Sequence, residues 1–122
     1  MKKTLILALI ALTGCYYDSE EELYPDNGCD TTNVTFSATV FPIIQNNCLS
    51  CHGSNPPQGG VYLGDYTSIS AAAQIPAGQS GSLYGAITHN SSNYAMPKGA
   101  PMLSDCKISQ IKAWIDSGTP NN

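Results

Sequence analysis

The sequence contains no arginine and only five lysines, against nine aspartates and glutamates. Two of the lysines, Lys2 and Lys3, precede an apolar run at the N-terminus, so a chain cleaved after residue 14 would keep three cations and nine carboxylates. Proteins that follow a nucleic-acid backbone need clustered cations. The composition therefore excludes nucleic acid as a partner.

The sequence also lacks an apolar run long enough to cross a membrane. Residues 5–12 are apolar, but a spanning helix requires roughly 20 such residues. A short run preceded by lysines is typical of a secretory signal peptide. Its end, Leu12-Thr13-Gly14-Cys15, resembles a bacterial lipobox, so we predict a lipoprotein signal peptide over residues 1–14 and acylation of Cys15. An ordinary signal peptide, with Cys15 as a free or disulfide-bonded thiol, is the alternative.

The segment that follows Cys15 is acidic and has no sustained apolar period. Five carboxylates lie between residues 16 and 28. Such a charge run favours a solvated chain over a packed helix face. We predict an acidic flexible tether over residues 15–33 and a folded domain over residues 34–122. A lipid anchor would hold this domain in the cell envelope, in the periplasm or at the outer-membrane surface.

The strongest chemical signal is the sequence Cys48-Leu49-Ser50-Cys51-His52. Two cysteines separated by two residues and followed directly by histidine are the attachment signature of c-type haem. Positions i, i+3 and i+4 of a helical turn share one face. Both thiols can then form thioethers with the haem vinyl groups while His52 lies under the iron. We expect His52 to ligate through Nε2 while Nδ1 donates to a carbonyl within residues 55–60.

Three other kinds of site use the same residue types. A thioredoxin-like redox pair is expected within a βαβ pattern, which is not visible here. A zinc site needs two further ligands at matching spacing, and the sequence has no second cysteine pair of this kind. A plain disulfide between Cys48 and Cys51 leaves His52 without a purpose.

A six-coordinate c-type iron needs a second axial ligand, usually methionine or histidine. The candidates downstream of the motif are Met96, Met102 and His89. Pro97 and Gly99 keep the stretch after Met96 out of a helix, so it can loop across the haem edge.

From residue 34 to residue 119 the chain resembles a class I c-type cytochrome, most closely the short monohaem domains of bacterial envelope proteins. The resemblance rests on the haem motif, the glycine-rich loop after it, Tyr94-Ala95-Met96-Pro97 and a closing helix with Ala113-Trp114-Ile115. In that family the methionine before proline is the distal ligand, which corresponds to Met96. The resemblance implies one covalent haem c and an electron carrier rather than an enzyme, because His/Met ligation leaves no position for a substrate.

The expected partners are redox proteins, and the acidic charge favours a basic docking patch on them. The alternative function is a haem domain that binds or senses a small ligand, which requires an open or displaceable sixth position.

The fold class predicted from these patterns is all-α: three to five short helices with long loops around one haem. We expect the first helix to begin near Thr39, and shorter helices over residues 66–74 and 82–89. The last helix should have Ser104 as its N-cap and end at Gly118.

Two cysteines, Cys29 and Cys106, remain after the others are assigned. An even remainder in an oxidising compartment predicts a disulfide between them. Pairing of Cys29 with another chain is the alternative.

Overall fold

The computed structural model describes residues 28–90 and 93–122, and within these ranges the chain is helical, without a β-strand. This confirms the all-α prediction. The predicted signal peptide, the acylated Cys15 and the tether up to residue 27 lie outside the described residues. Five α-helices are present in the described ranges: α1 Phe41–Asn47, α2 Leu49–His52, α3 Tyr66–Ala73, α4 Leu83–Ile87 and α5 Asp105–Asp116. None of the helices described has the length and hydropathy to cross a bilayer.

The chain enters α1 through a π-helical turn, Phe36–Val40. Helical structure therefore begins at Phe36, earlier than the predicted start near Thr39. The Thr35 hydroxyl caps this turn by accepting the Ala38 N–H at 3.2 Å. Pro42, at the start of α1, has no N–H to donate, and its ring would crowd the carbonyl four residues earlier in a regular α-helix. The π turn closes i to i+5 bonds, such as Val40 N–H to Thr35 O at 3.1 Å, and Pro42 falls in the first turn of α1, where proline is tolerated.

The core lies where the π turn, α1 and α5 meet. Trp114 is fully buried, with its ring centroid 5.6 Å from that of Phe36. Its Nε1–H donates to the Pro120 carbonyl at 2.9 Å, which satisfies the polar end of the indole. Every α-helix except α2 contributes to the buried set: Phe36, Val40, Ile43, Ile44, Leu63, Ile69, Ala73, Leu83, Ile87, Leu103, Ile111 and Trp114.

The two ends of α5 agree with the prediction to different degrees. Gly118, at φ +91°, follows the helix, and its N–H donates to Ile115 O at 3.0 Å. Thr119 N–H donates to Trp114 O at 3.0 Å, which completes a Schellman motif. Ser104 precedes the helix as expected, but its side chain makes no capping hydrogen bond.

Cys29 and Cys106 form a disulfide in the structure, with their Cα atoms 5.4 Å apart. Cys106 lies in the first turn of α5, and Gln110 Nε2 donates to the Asp30 carbonyl at 3.3 Å. Residues 29 and 30, assigned above to the tether, are therefore held against α5. A crosslink over 77 residues stabilises the folded state by about 4 to 5 kcal/mol in the chain-entropy account.

Candidate haem site

Residues 48–52 form a single helical turn, which we call the CXXCH turn. The Cys48 carbonyl accepts the His52 N–H at 2.9 Å and the Cys51 N–H at 3.2 Å. Positions i, i+3 and i+4 of such a turn are expected to share one face, so the spacing still predicts that the two thiols and the imidazole lie together. A Cβ at Gly53 would lie 2.7 Å from Leu49 O, so the residue after His52 has no room for a side chain.

The His52 ring is oriented by a hydrogen bond from Nδ1 to the Val61 carbonyl at 2.8 Å. A carbonyl only accepts, so Nδ1 carries the proton, and Nε2 is the ring nitrogen that could ligate a metal. The acceptor lies one residue beyond the predicted range of 55–60. The chain makes a 3₁₀ turn at Gln58–Gly60 before it returns to His52, where the Leu63 N–H donates to His52 O at 2.9 Å.

Cys48 and Cys51 are free, partly buried thiols. Burial, together with the neighbouring Cys51, raises the pKa of the Cys48 thiol to about 11. Thioredoxin-like pairs depend on a lowered thiol pKa, so this environment counts against that alternative. Because Cys29 is bonded to Cys106, the pair in the CXXCH turn is left available for thioether bonds.

Met96 is held by both of its main-chain polar groups. Its N–H donates to Ala86 O at 3.0 Å, and its carbonyl accepts a hydrogen bond from His89 Nε2 at 3.2 Å. The Met96 side chain is half-buried, whereas that of Met102 is exposed. His89, the other candidate for the distal position, thus has its Nε2 engaged by Met96.

Residues 93–96, which we call the Met96 segment, pack against α4 because Gly85 has no side chain. The Asn93 side-chain amide donates to Ala77 O at 3.0 Å. A Cβ on Gly85 would overlap both the Asn93 amide and the Ala77 carbonyl. Neither Gly85 nor Asn93 was predicted from the sequence, since neither residue carries a local signal for this role.

The large hydrophobic side chains that are exposed in the described ranges lie near the predicted ligands along the chain. Val61 supplies the acceptor for His52 and precedes Tyr62, whereas Tyr94 and Met102 lie on either side of Met96 in the sequence. Tyr94 is 85% exposed. Exposed apolar side chains at a site favour a surface that an apolar ligand covers.

The donor set fits a c-type haem: two unpaired thiols on one turn with an imidazole, and a methionine on a separately fixed segment. Within residues 28–90 and 93–122 no three His, Cys, Asp or Glu side chains group to hold a metal ion, so nothing there supports the zinc alternative. A cleft of about 550 Å³ between α3, α4 and α5, beside Tyr84 and Lys112, includes none of the predicted ligands.

Comparison of the chain with protein-family models, curated proteins and solved structures found no match. Its function is therefore inferred from the residues of the site.

Proposed function

We propose that this protein is a monohaem c-type cytochrome that carries single electrons in the bacterial cell envelope. Cys48 and Cys51 would attach the haem, His52 and Met96 would ligate its iron, and Cys15 would carry the lipid anchor. The observation that carries the proposal is the His52 ring, fixed by the 2.8 Å bond to Val61 O on the same turn as two free thiols. Orientation of a ligating imidazole by its second nitrogen is the usual arrangement at metal sites.

The haem supplies a one-electron redox couple, and the residues of the chain tune it. The hydrogen bond from His52 to Val61 O raises the basicity of the ligating nitrogen. The Met96 thioether favours ferrous iron and gives a higher potential than a second histidine. Val61, Tyr62 and Tyr94 are exposed apolar side chains close in sequence to the proposed ligands, and they are the side chains we expect a bound haem to cover.

The ligand-binding alternative requires a sixth position that is open, or one from which Met96 is readily displaced. The two main-chain hydrogen bonds of Met96 count against easy displacement. Carbon monoxide added to the reduced protein tests this point: electron transfer with stable His/Met ligation predicts no binding at neutral pH. Stoichiometric binding would instead support the ligand-binding domain.

Redox proteins with a basic patch remain the proposed partners. The acidic charge that favours them is unevenly distributed along the sequence. Residues 28–122 contain three lysines and four carboxylates, whereas the other five carboxylates precede residue 28. We expect the electron-transfer rate with a basic partner to fall as salt rises. Deletion of residues 16–27 should weaken that salt dependence in stopped-flow measurements, and an unchanged slope would place the docking charge elsewhere.

The decisive experiment is intact mass and pyridine haemochrome analysis of the matured protein. We expect one covalent haem in the wild type and none in the Cys48→Ala, Cys51→Ala double variant. Met96→Ala is the matched control: it should keep the haem mass and lose the iron–thioether absorption of the oxidised protein. A colourless wild type whose two CXXCH thiols can both be alkylated would refute the proposed function.

A further inference from the structure

Helices α4 and α5 end in the same hydrogen-bond pattern but with different residues in the left-handed position. After α4, Asn90 N–H donates to Gly85 O at 2.8 Å and His89 N–H donates to Ala86 O at 3.2 Å. This is the Schellman arrangement that also follows α5. The left-handed residue is Gly118 after α5, at φ +91°, but His89 after α4, at φ +54°.

A residue with a Cβ is disfavoured in this conformation relative to glycine. Strained residues of this kind concentrate where the surrounding structure uses their side chains. At His89 that use is visible, because Nε2 lies 3.2 Å from the Met96 carbonyl. The carbonyl cannot donate, so the His89 Nε2–H is the donor.

The same end of α4 also holds the other polar group of Met96. The Ala86 carbonyl accepts both the His89 N–H and the Met96 N–H, the latter at 3.0 Å. The Met96 peptide groups are therefore fixed to α4 on both sides of its Cα. Loss of the His89 side chain would free the Met96 carbonyl and leave the N–H bond to Ala86 O without this second contact, so that the N–H bond should open more often.

We propose that His89 is a positioning residue for Met96, holding its backbone so that the thioether is presented in one orientation. This inference rests on the proposed haem ligation by Met96. It also explains why a histidine occupies a position that suits glycine. His89 acts here through Met96 and is not itself an iron ligand.

The test compares His89→Gly with His89→Gln in the full matured protein. Glycine suits the left-handed backbone, so His89→Gly removes the side-chain donor without harm to the helix end. Glutamine has an amide N–H of similar reach and should rescue the bond. The first readout is hydrogen exchange at the Met96 amide. The second is titration of the oxidised protein with imidazole, which displaces the Met96 thioether and so removes the iron–thioether absorption.

We expect His89→Gly to unfold at the wild-type temperature or above. Its Met96 amide should nevertheless exchange faster than in the wild type. Its affinity for imidazole should be roughly two- to tenfold higher, which is the range for one lost hydrogen bond. His89→Gln should stay within about twofold of the wild type in both measurements. If the wild type carries haem but His89→Gly changes neither the amide exchange nor the imidazole affinity, the positioning role alone is overturned. A wild type without haem would overturn the proposed function and the positioning role with it.

Discussion

The two sides of the proposed site are built in different ways. The CXXCH turn is made within five consecutive residues, and its hydrogen bonds converge on the Cys48 carbonyl. The Met96 segment is held by bonds to His89, Ala86 and Ala77, which lie 7 to 16 residues back along the chain. Local bonding keeps the two cysteines and His52 on one turn, while the orientation of the His52 ring also depends on the Val61 carbonyl nine residues further on. The second side depends on packing against α4, so it should open at a lower free energy.

The largest expected effect acts on both sides at once. The disulfide closes a loop from Cys29 to Cys106 that contains the CXXCH turn and the Met96 segment. Replacement of both cysteines by alanine should lower the free energy of unfolding by about 4 to 5 kcal/mol, because the unfolded chain gains conformational freedom. Denaturant titration without reductant measures this change. A decrease below about 1 kcal/mol would show that the crosslink adds little to this fold.

A smaller effect should separate the two sides. Gly85→Ala adds a methyl group where the Asn93 side-chain amide and the Ala77 carbonyl already lie, so both must shift and the contact between the Met96 segment and α4 is weakened. Overpacking of this kind costs about 1 to 3 kcal/mol. We expect faster amide exchange at Met96 and weaker iron–thioether absorption, with the His52 and Leu63 amides unchanged.

The matched control for Gly85→Ala is Gly78→Ala, because a Cβ at Gly78 meets nothing within 4 Å. It should leave the Met96 amide and the absorption as in the wild type. Equal disturbance of the CXXCH turn and the Met96 segment by Gly85→Ala would contradict the difference in construction proposed here.

The same difference explains what could be predicted from the sequence. The CXXCH turn and the Gly118 helix end follow from short spacings and local backbone preferences, and both are present in the structure. The Val61 carbonyl was missed by one residue because the return of the loop depends on the bond between Leu63 N–H and His52 O. The contacts of His89 and Gly85 with the Met96 segment join residues that no sequence period relates. They depend on how the loop folds back onto α4.

The smallest expected effect concerns Asp65, which caps α3 and makes no direct contact with either side of the site. Its Oδ1 accepts the Ser68 N–H at 2.8 Å, and this backbone hydrogen bond lowers the Asp65 pKa below its ordinary value of 3.8. A carboxylate with a lowered pKa in the folded state stabilises that state above the ordinary pKa, and this contribution is lost as the pH falls through the folded value.

Asparagine caps a helix about as well without titrating. Asp65→Asn should therefore have the wild-type melting temperature near neutral pH. Below pH 3.8 its melting temperature should fall less than that of the wild type. Helix α3 contacts α4, which holds the Met96 segment, so acid should loosen that segment more than the CXXCH turn in the wild type. Parallel melting curves for the two proteins across the acid range would show that the Asp65 cap does not contribute, and greater loosening of the CXXCH turn would link α3 to the other side of the site.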